Sequence, residues 1–447
     1  WTISRDCYQL YLDEKIKLKH LLKNNSGRIC LTTDSWTSIQ RINYMCLTAH
    51  FIDNDWKLNK KILNFCPIAS HKGTEVGKAI EKCLLEWGVD DILTVTVDNA
   101  SSNDVAVSYL RGKLQNWGKA VLGGKWTHVR CVAHIVNLIV NDGIKKLGDS
   151  VDCIRAAVRY VRQSPSRLKK FKECVEIEKI ECKRLLCLDV STRWNSTYLM
   201  LDTAQRFERA FERFEEQDPY MLQELENLPT KSDWTKARFL VIFLENFYQL
   251  TVKVSGSKYV TSNNFFTDIS HIHGILIEMT ASDNEELSSM ARSMKEKYDK
   301  YWGKIEKMNM LIFISSILDP RTKLEYLEFV VCQMYGESDG TTIAGLAKDA
   351  MFELFNEYKM LNTPASNSVS HASSLSSDSQ WSKTTFRGHG DASKTITDRY
   401  KLEFKKRKME LGGRDAKSEL EKYLNEDCEE DDERFDILLW WKANSLR

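Results

Sequence analysis

Two aspartates stand where short β-prone runs give out: Asp34 after RICLTT (28–33) and Asp98 at the end of ILTVTV (92–97). If those runs lie side by side as parallel strands, about 4.8 Å apart, their carboxylates repel unless a cation sits between them. A hard dication that takes oxygen ligands, Mg²⁺ or Mn²⁺, resolves that conflict. With a third acid, such a site holds two metals about 3.5–4 Å apart, one activating water and one stabilising the leaving oxygen of a phosphodiester. The plainer alternative is that each Asp starts a turn or caps the next helix, and Asp98-Asn99 invites that reading.

The elements that must position the two carboxylates are legible as changes of texture. Residues 8–24 have apolar side chains at helical spacing and predict an opening helix. Three β-prone runs follow at 28–33, 44–52 and 56–65, the last two separated by DND, a hairpin-length turn. Residues 75–87 place Val76, Ile80, Cys83, Leu84 and Trp87 on one helical face. A fourth strand is expected at 92–97, then a helix from about Val105 preceded by the cap-rich segment 99–104. A fifth strand is expected at 126–131, followed by the helix AHIVNLIVNDGIKKL (133–147). Three antiparallel strands followed by crossovers predict an α/β fold with a mixed sheet. From about 150 to 360 the pattern is helical almost throughout.

Bulk properties constrain the rest. The 447 residues are 42% hydrophobic and 28% charged, enough apolar surface for real cores. No apolar run reaches the ~20 residues of a bilayer crossing, so no membrane partner is expected. Twelve cysteines occur without a CxxC pair, which predicts reduced thiols and no zinc finger within these residues. Lys plus Arg (64) balances Asp plus Glu (63), so any nucleic-acid surface must be local. Two basic clusters qualify: Arg159, Arg162, Arg167, Lys169, Lys170 and Lys172, and the run Lys405-Lys406-Arg407-Lys408, a form that also suits nuclear import. Charge runs are more often solvated helix faces. Residues 362–383 are Ser-rich and predict a flexible linker, and 425–433 form an acidic run.

Seven segments in order, LTTDSWTS (31–38), YMCLTAHFIDNDWKLNKKILNF (44–65), TVTVDNASSND (94–104), HVRCVAHIVNLIV (128–140), STRWNSTYLML (191–201), SSILDPRTKL (315–324) and FDILLWWKANSLR (435–447), resemble the successive blocks of hAT transposases. The resemblance is strongest to the transposase-derived plant group of RICESLEEPER/DAYSLEEPER-like proteins, which carry an upstream BED zinc finger. It implies an RNase H-like fold whose mixed sheet is interrupted by a large all-helical insertion. It implies catalytic and metal-holding roles for Asp34 and Asp98, with Mg²⁺ or Mn²⁺ as cofactor if the protein is catalytic. Cys131 and His134 match a CxxH motif near the site, and Trp194 matches a tryptophan that stacks on a flipped base. Against these stand ordinary readings: a helix residue with a local hydrogen bond for His134 and a half-buried core aromatic for Trp194. The family's third acid is a Glu beyond the WWK block, and no matching segment occurs in these residues.

The implied organisation is an opening helix and linker (1–27), the first part of an RNase H-like core (28–200), a helical insertion (201–360), the Ser-rich linker with its basic segment (361–416), and the start of a dimerisation region (417–447). In that last region Phe435, Leu438, Trp440 and Trp441 need a partner surface, from their own core or a second subunit. The resemblance implies a nuclear DNA-binding protein that forms a homodimer or higher oligomer. Two functions follow, a domesticated regulatory protein or an active metal-dependent transposase when full length. A helical scaffold without a nucleic-acid role is a third.

Overall fold

The computed structural model describes residues 2–304, 308–362, 418–430, 432 and 434–445. The Ser-rich segment beyond residue 362 and the basic run Lys405-Lys406-Arg407-Lys408 lie outside the described residues. The chain forms two compact units, one of Trp1–Met351 with Glu429–Leu446 and one of Phe352–Cys428.

The first unit opens with α1 (Thr2–Asn24), then β1 (Ile29–Thr37), β2 (Asn43–Ile52) and β3 (Leu58–Pro67). Next come α2 (Gly73–Trp87), β4 (Ile92–Val97), α3 (Ser101–Asn116), β5 (His128–Arg130) and α4 (Val132–Ile144). The sheet order is β3-β2-β1-β4-β5, antiparallel on the β3 side and parallel from β1 through β4 to β5. This is the mixed α/β sheet that the sequence predicts.

Strand alternation explains which face is core. Leu31 of β1 and Met45, Leu47, Ala49 and Phe51 of β2 point one way and are at most 3% exposed. They pack with Val76, Ile80 and Leu84 of α2 and Ala106, Val107 and Leu110 of α3. Two glycines let those helices approach: a Cβ on Gly73 would lie 2.1 Å from the Ser102 carbonyl, and one on Gly77 2.8 Å from the Tyr109 ring. Between Leu47 and Thr48 the β2–β3 register shifts by a residue, so Cys46 faces Phe65 while Thr48 faces Ile62.

From α5 onward every regular element among the described residues is helical. The series is α5 (Gly148–Arg162), α6 (Pro165–Ile177), α7 (Trp194–Ala204), α8 (Glu208–Gln217), α9 (Pro219–Glu224), α10 (Lys231–Val254), α11 (Ser262–Thr280), α12 (Glu285–Trp302), α13 (Leu311–Ile317), α14 (Lys323–Tyr335) and α15 (Glu337–Asn362). In the second unit Ser418 starts α16 (Glu419–Asn425) with a reciprocal capping box to Glu421. The first unit closes with α17 (Ile437–Asn444). No helix among the described residues is long and apolar enough to cross a membrane. All twelve cysteines are free thiols.

Three histidines, His50, His128 and His273, are held below the ordinary imidazole value, chiefly by burial. Folded, they bind fewer protons than the unfolded chain as pH falls below about 6.5, so the stability present above that pH is lost on acidification. The thermal midpoint is therefore expected to be lower at about pH 5 than at about pH 7.5. His273 packs against the rings of Tyr298 and Tyr335, 5.5 and 6.1 Å away. His273→Phe, a ring that does not titrate, should shrink the acid-side loss. A midpoint unchanged between the two pH values would contradict the assignment.

Candidate functional site

Asp34 does not follow β1, as the sequence reading has it; it lies inside the strand. β1 runs on to Thr37 because its backbone stays paired with β2 as far as Thr37 opposite Asn43. With β4 the pairing stops earlier, at Thr32 opposite Thr96. Two residues further on, Asp34 and Asp98 stand at the same register level, one still in its strand and one just past it. Strand parity puts both on the face away from the α2–α3 core. The two strands part there, and in open α/β sheets such crevices beyond strand carboxyl ends are where ligands bind.

Local chemistry fixes each carboxylate differently. Asp34 is exposed, and its Oδ1 accepts from the Ser35 amide at 2.9 Å. Asp98 is half-buried; its Oδ1 accepts from the Ala100 amide at 2.9 Å and from Asn103 Nδ2 at 2.6 Å. Asp98 therefore performs a turn role, and Asn103 orients its carboxylate without removing it from the crevice.

Cys131 closes the site from the β5 side. Its amide donates to the Val97 carbonyl at 2.7 Å, and it caps α4. Burial pushes its thiol up; the amides of His134 and Ala133 oppose the rise, and the carboxylates of Asp34 and Asp98 add to it. Cys131 follows Arg130, the partner of Val97, so it stands at the register level of Asp98. His134 lies half-buried in the first turn of α4, its amide turned toward the Cys131 thiol.

Other residues of this edge gave no signal in the sequence reading. Asn103 is one, although the cap-rich run 99–104 contains it. Arg130 reaches Asn99 at 3.2 Å and Asp104 at 3.5 Å. His71 bridges Ser35 Oγ at 3.1 Å and Thr37 Oγ1 at 3.0 Å, locking the end of β1.

Trp194 is not in the crevice's open part. It starts α7 at 3% exposure, with its ring 6.4 Å from that of Tyr198. A base cannot reach its face unless the surrounding helices open, so the core reading describes it. The aromatic segment at the end of the chain folds onto its own unit. Trp441 Nε1 donates to the Leu318 carbonyl at 3.0 Å, Trp440 Nε1 to Glu429 at 2.9 Å, and Arg321 lies over the Phe435 ring at 5.1 Å. Leu438 is half-buried and Leu439 remains 62% exposed.

In kind, the donors fit a hard dication, because two carboxylates supply only oxygen. In number they fall short: no group of three or more His, Cys, Asp and Glu side chains among the described residues is arranged to hold a metal.

Comparison with known proteins bears on the fold that carries these residues. Residues 32–126, which hold most of β1, all of β2, β3 and β4, and the helices α2 and α3, match the ZBED1 RNase-like domain; 129–243 match the ZBED1 RNase-like helical domain; 263–358 match the hAT-like transposase, RNase-H fold. The chain is 32% identical to the Zinc finger BED domain-containing protein RICESLEEPER 2 of Oryza sativa subsp. japonica, over 100% of this chain and 60% of that protein. It is 32% identical to the Zea mays protein named "Putative AC transposase", over 99% of this chain and 53% of that protein. DAYSLEEPER of Arabidopsis thaliana is 29% identical over 100% of this chain and 60% of its own length. The chain thus spans 53–60% of the length of these curated relatives. With its mixed sheet, its helical continuation and relatives aligned along its whole length, the chain belongs to the hAT family of transposases and transposase-derived proteins.

Proposed function

We propose that the chain is the DNA-engaging core of a nuclear, dimerising protein derived from a hAT transposase and kept in a regulatory role. The observation that carries DNA engagement is a group of exposed, unpaired cations on α5 and α6. In α5 and α6, Arg155 is tied to Asp152 and Asp189, and Arg167 to Glu224. Arg159, Arg162, Lys169, Lys170 and Lys172 are exposed and make no ion pair among the described residues. Cations left unpaired beside paired ones suit phosphate binding. The exposed Leu439 beside Phe435, Leu438, Trp440 and Trp441 supports a subunit interface built around α17.

A second reading, an active transposase when full length, is favoured by the two carboxylates at one register level. In it Asp34 and Asp98 would hold Mg²⁺ or Mn²⁺, which supplies a water-derived nucleophile and stabilises the leaving oxygen. The chain's own contribution is position: Asn103 and the Ala100 amide hold Asp98, and the strand pairing holds Asp34.

Duplex DNA binding, followed by anisotropy across a salt series, tests the proposal. Binding is expected to weaken steeply with salt. Replacing Arg159, Arg162, Lys169, Lys170 and Lys172 by Gln should flatten the slope of log K against log salt by roughly 0.9 for each phosphate that the protein no longer neutralises. Binding that is absent, or a slope the replacement leaves unchanged, would remove these cations as the basis for the proposal.

A further inference from the structure

Three aromatic rings from three different strands meet on the open face of the sheet beside Asp34. Trp36 and Tyr44 are cross-strand partners in β1 and β2. Phe65 of β3 faces Cys46, itself opposite Asp34, because of the register shift after Leu47. Ring centroids are 6.1 Å apart for Trp36–Tyr44 and 5.4 Å for both Trp36–Phe65 and Tyr44–Phe65. Tyr44 lies within 27° of parallel to Trp36 and 21° to Phe65. Trp36 is 40% exposed, Phe65 59%, and Ile62 further along β3 64%. Apolar surface gathered this way and left open marks an interaction site more often than chance.

We propose that Trp36, Tyr44 and Phe65 form a stacking platform for the unpaired bases of a DNA end held beside the Asp34–Asp98 crevice. The inference rests on the DNA-binding reading above and names a place and a ligand form for it. Trp36 is two residues from Asp34 on the same face, so a strand on the rings leads directly to the carboxylates. Trp36 and Phe65 are tilted 47° to each other with Tyr44 near-parallel to both, so the cluster presents aromatic π surface, which every base can use irrespective of sequence. Cations bracket the rings: Arg41 is exposed in the β1–β2 turn, and Lys60 is exposed on the same face of β3, opposite His50. A backbone passing from one to the other meets positive charge at both ends. The buried Trp194 offers no such surface.

The test titrates the 447-residue chain into three labelled DNAs: a blunt duplex, the same duplex with a short unpaired tail, and the single strand alone. Wild type is expected to prefer the tailed duplex. Phe65→Ala and Tyr44→Ala should each weaken binding to tailed and single-stranded DNA roughly tenfold, change blunt-duplex binding less than about twofold, and leave the circular dichroism spectrum intact. Phe65→Trp should retain the affinity. Equal loss on all three DNAs, or no loss in a folded variant, overturns the platform while leaving DNA binding in place. If wild type binds none of the DNAs, the DNA-binding reading itself fails and the platform with it. A dimer that becomes monomeric on Phe65→Ala, with DNA affinity unchanged, gives the face to a second copy of the chain and also overturns the proposal.

Discussion

Replacing Asp319 with alanine is expected to lower the stability of the folded chain by roughly 3–5 kcal/mol, the cost of leaving a buried partner charge uncompensated. Asp319 is 1% exposed. It accepts from Asn263 Nδ2 at 2.8 Å and from Arg321 through Nε at 3.0 Å and Nη2 at 2.8 Å. Burial alone would raise its carboxyl; the Arg321 and Asn263 bonds outweigh it and hold the group below the usual value. Without the carboxylate, a guanidinium only 17% exposed faces a hole where its charge partner was. The effect should spread, because the turn around Asp319 is what α17 rests on. Leu318 accepts from Trp441, Pro320 accepts from the Glu429 amide, and Arg321 covers Phe435. Denaturant unfolding measures the loss, and Asp319→Asn, which keeps an acceptor, should cost less. A loss under about 1 kcal/mol for the alanine variant would mean that the ion pair is dispensable.

Trp194→Ala is expected to cost a comparable amount, about 3–5 kcal/mol, by the cavity it leaves. The residue sits where α7 begins, and the loop before it is pinned. Asp189, its side chain 2% exposed, accepts from Arg155 Nε at 2.8 Å and Thr197 Oγ1 at 2.8 Å. Tyr198 extends the packing by stacking on Tyr248 at 4.8 Å. Little nearby is free to collapse into the vacated volume. Any weakening of DNA binding in this variant should be the same for blunt and tailed DNA, since it would come from unfolding. A variant that unfolds at the wild-type denaturant concentration and loses only tailed DNA would return Trp194 to base stacking.

The strands were legible where side chains alternate between faces, as in β2, or form a β-branched run, as in β4. The end of β1 was not, because residues 34–37 (DSWT) look like loop; their strand character comes from the ladder with β2 rather than from burial. β5 is shorter than the run 126–131 suggests. The carbonyls of Trp126 and His128 both accept from Asn309, a partner about 180 residues away that no local pattern announces. Asp34 and Asp98 could be nominated from sequence because each ends a β-prone run. The ring cluster could not, since bringing Phe65 opposite Cys46 depends on a one-residue register shift. For Trp194, residue type alone suits a core and a stacking site equally well; only its surroundings decide.

The outer edge of the sheet has a consequence for self-association. β3 pairs with β2 on one side and with no other strand of the sheet on the other, so its outward backbone groups are a template for strand addition. Lys60 and Lys61 stand exposed in the middle of that edge, and Pro67 at its end has no N–H to offer. A second β3 approaching edge to edge would bring lysines against lysines and meet a ladder already bent by the register shift. Such features guard natural sheets against runaway polymerisation. They leave the open face, with its side chains, as the part of β3 that can be used without risking fibrils.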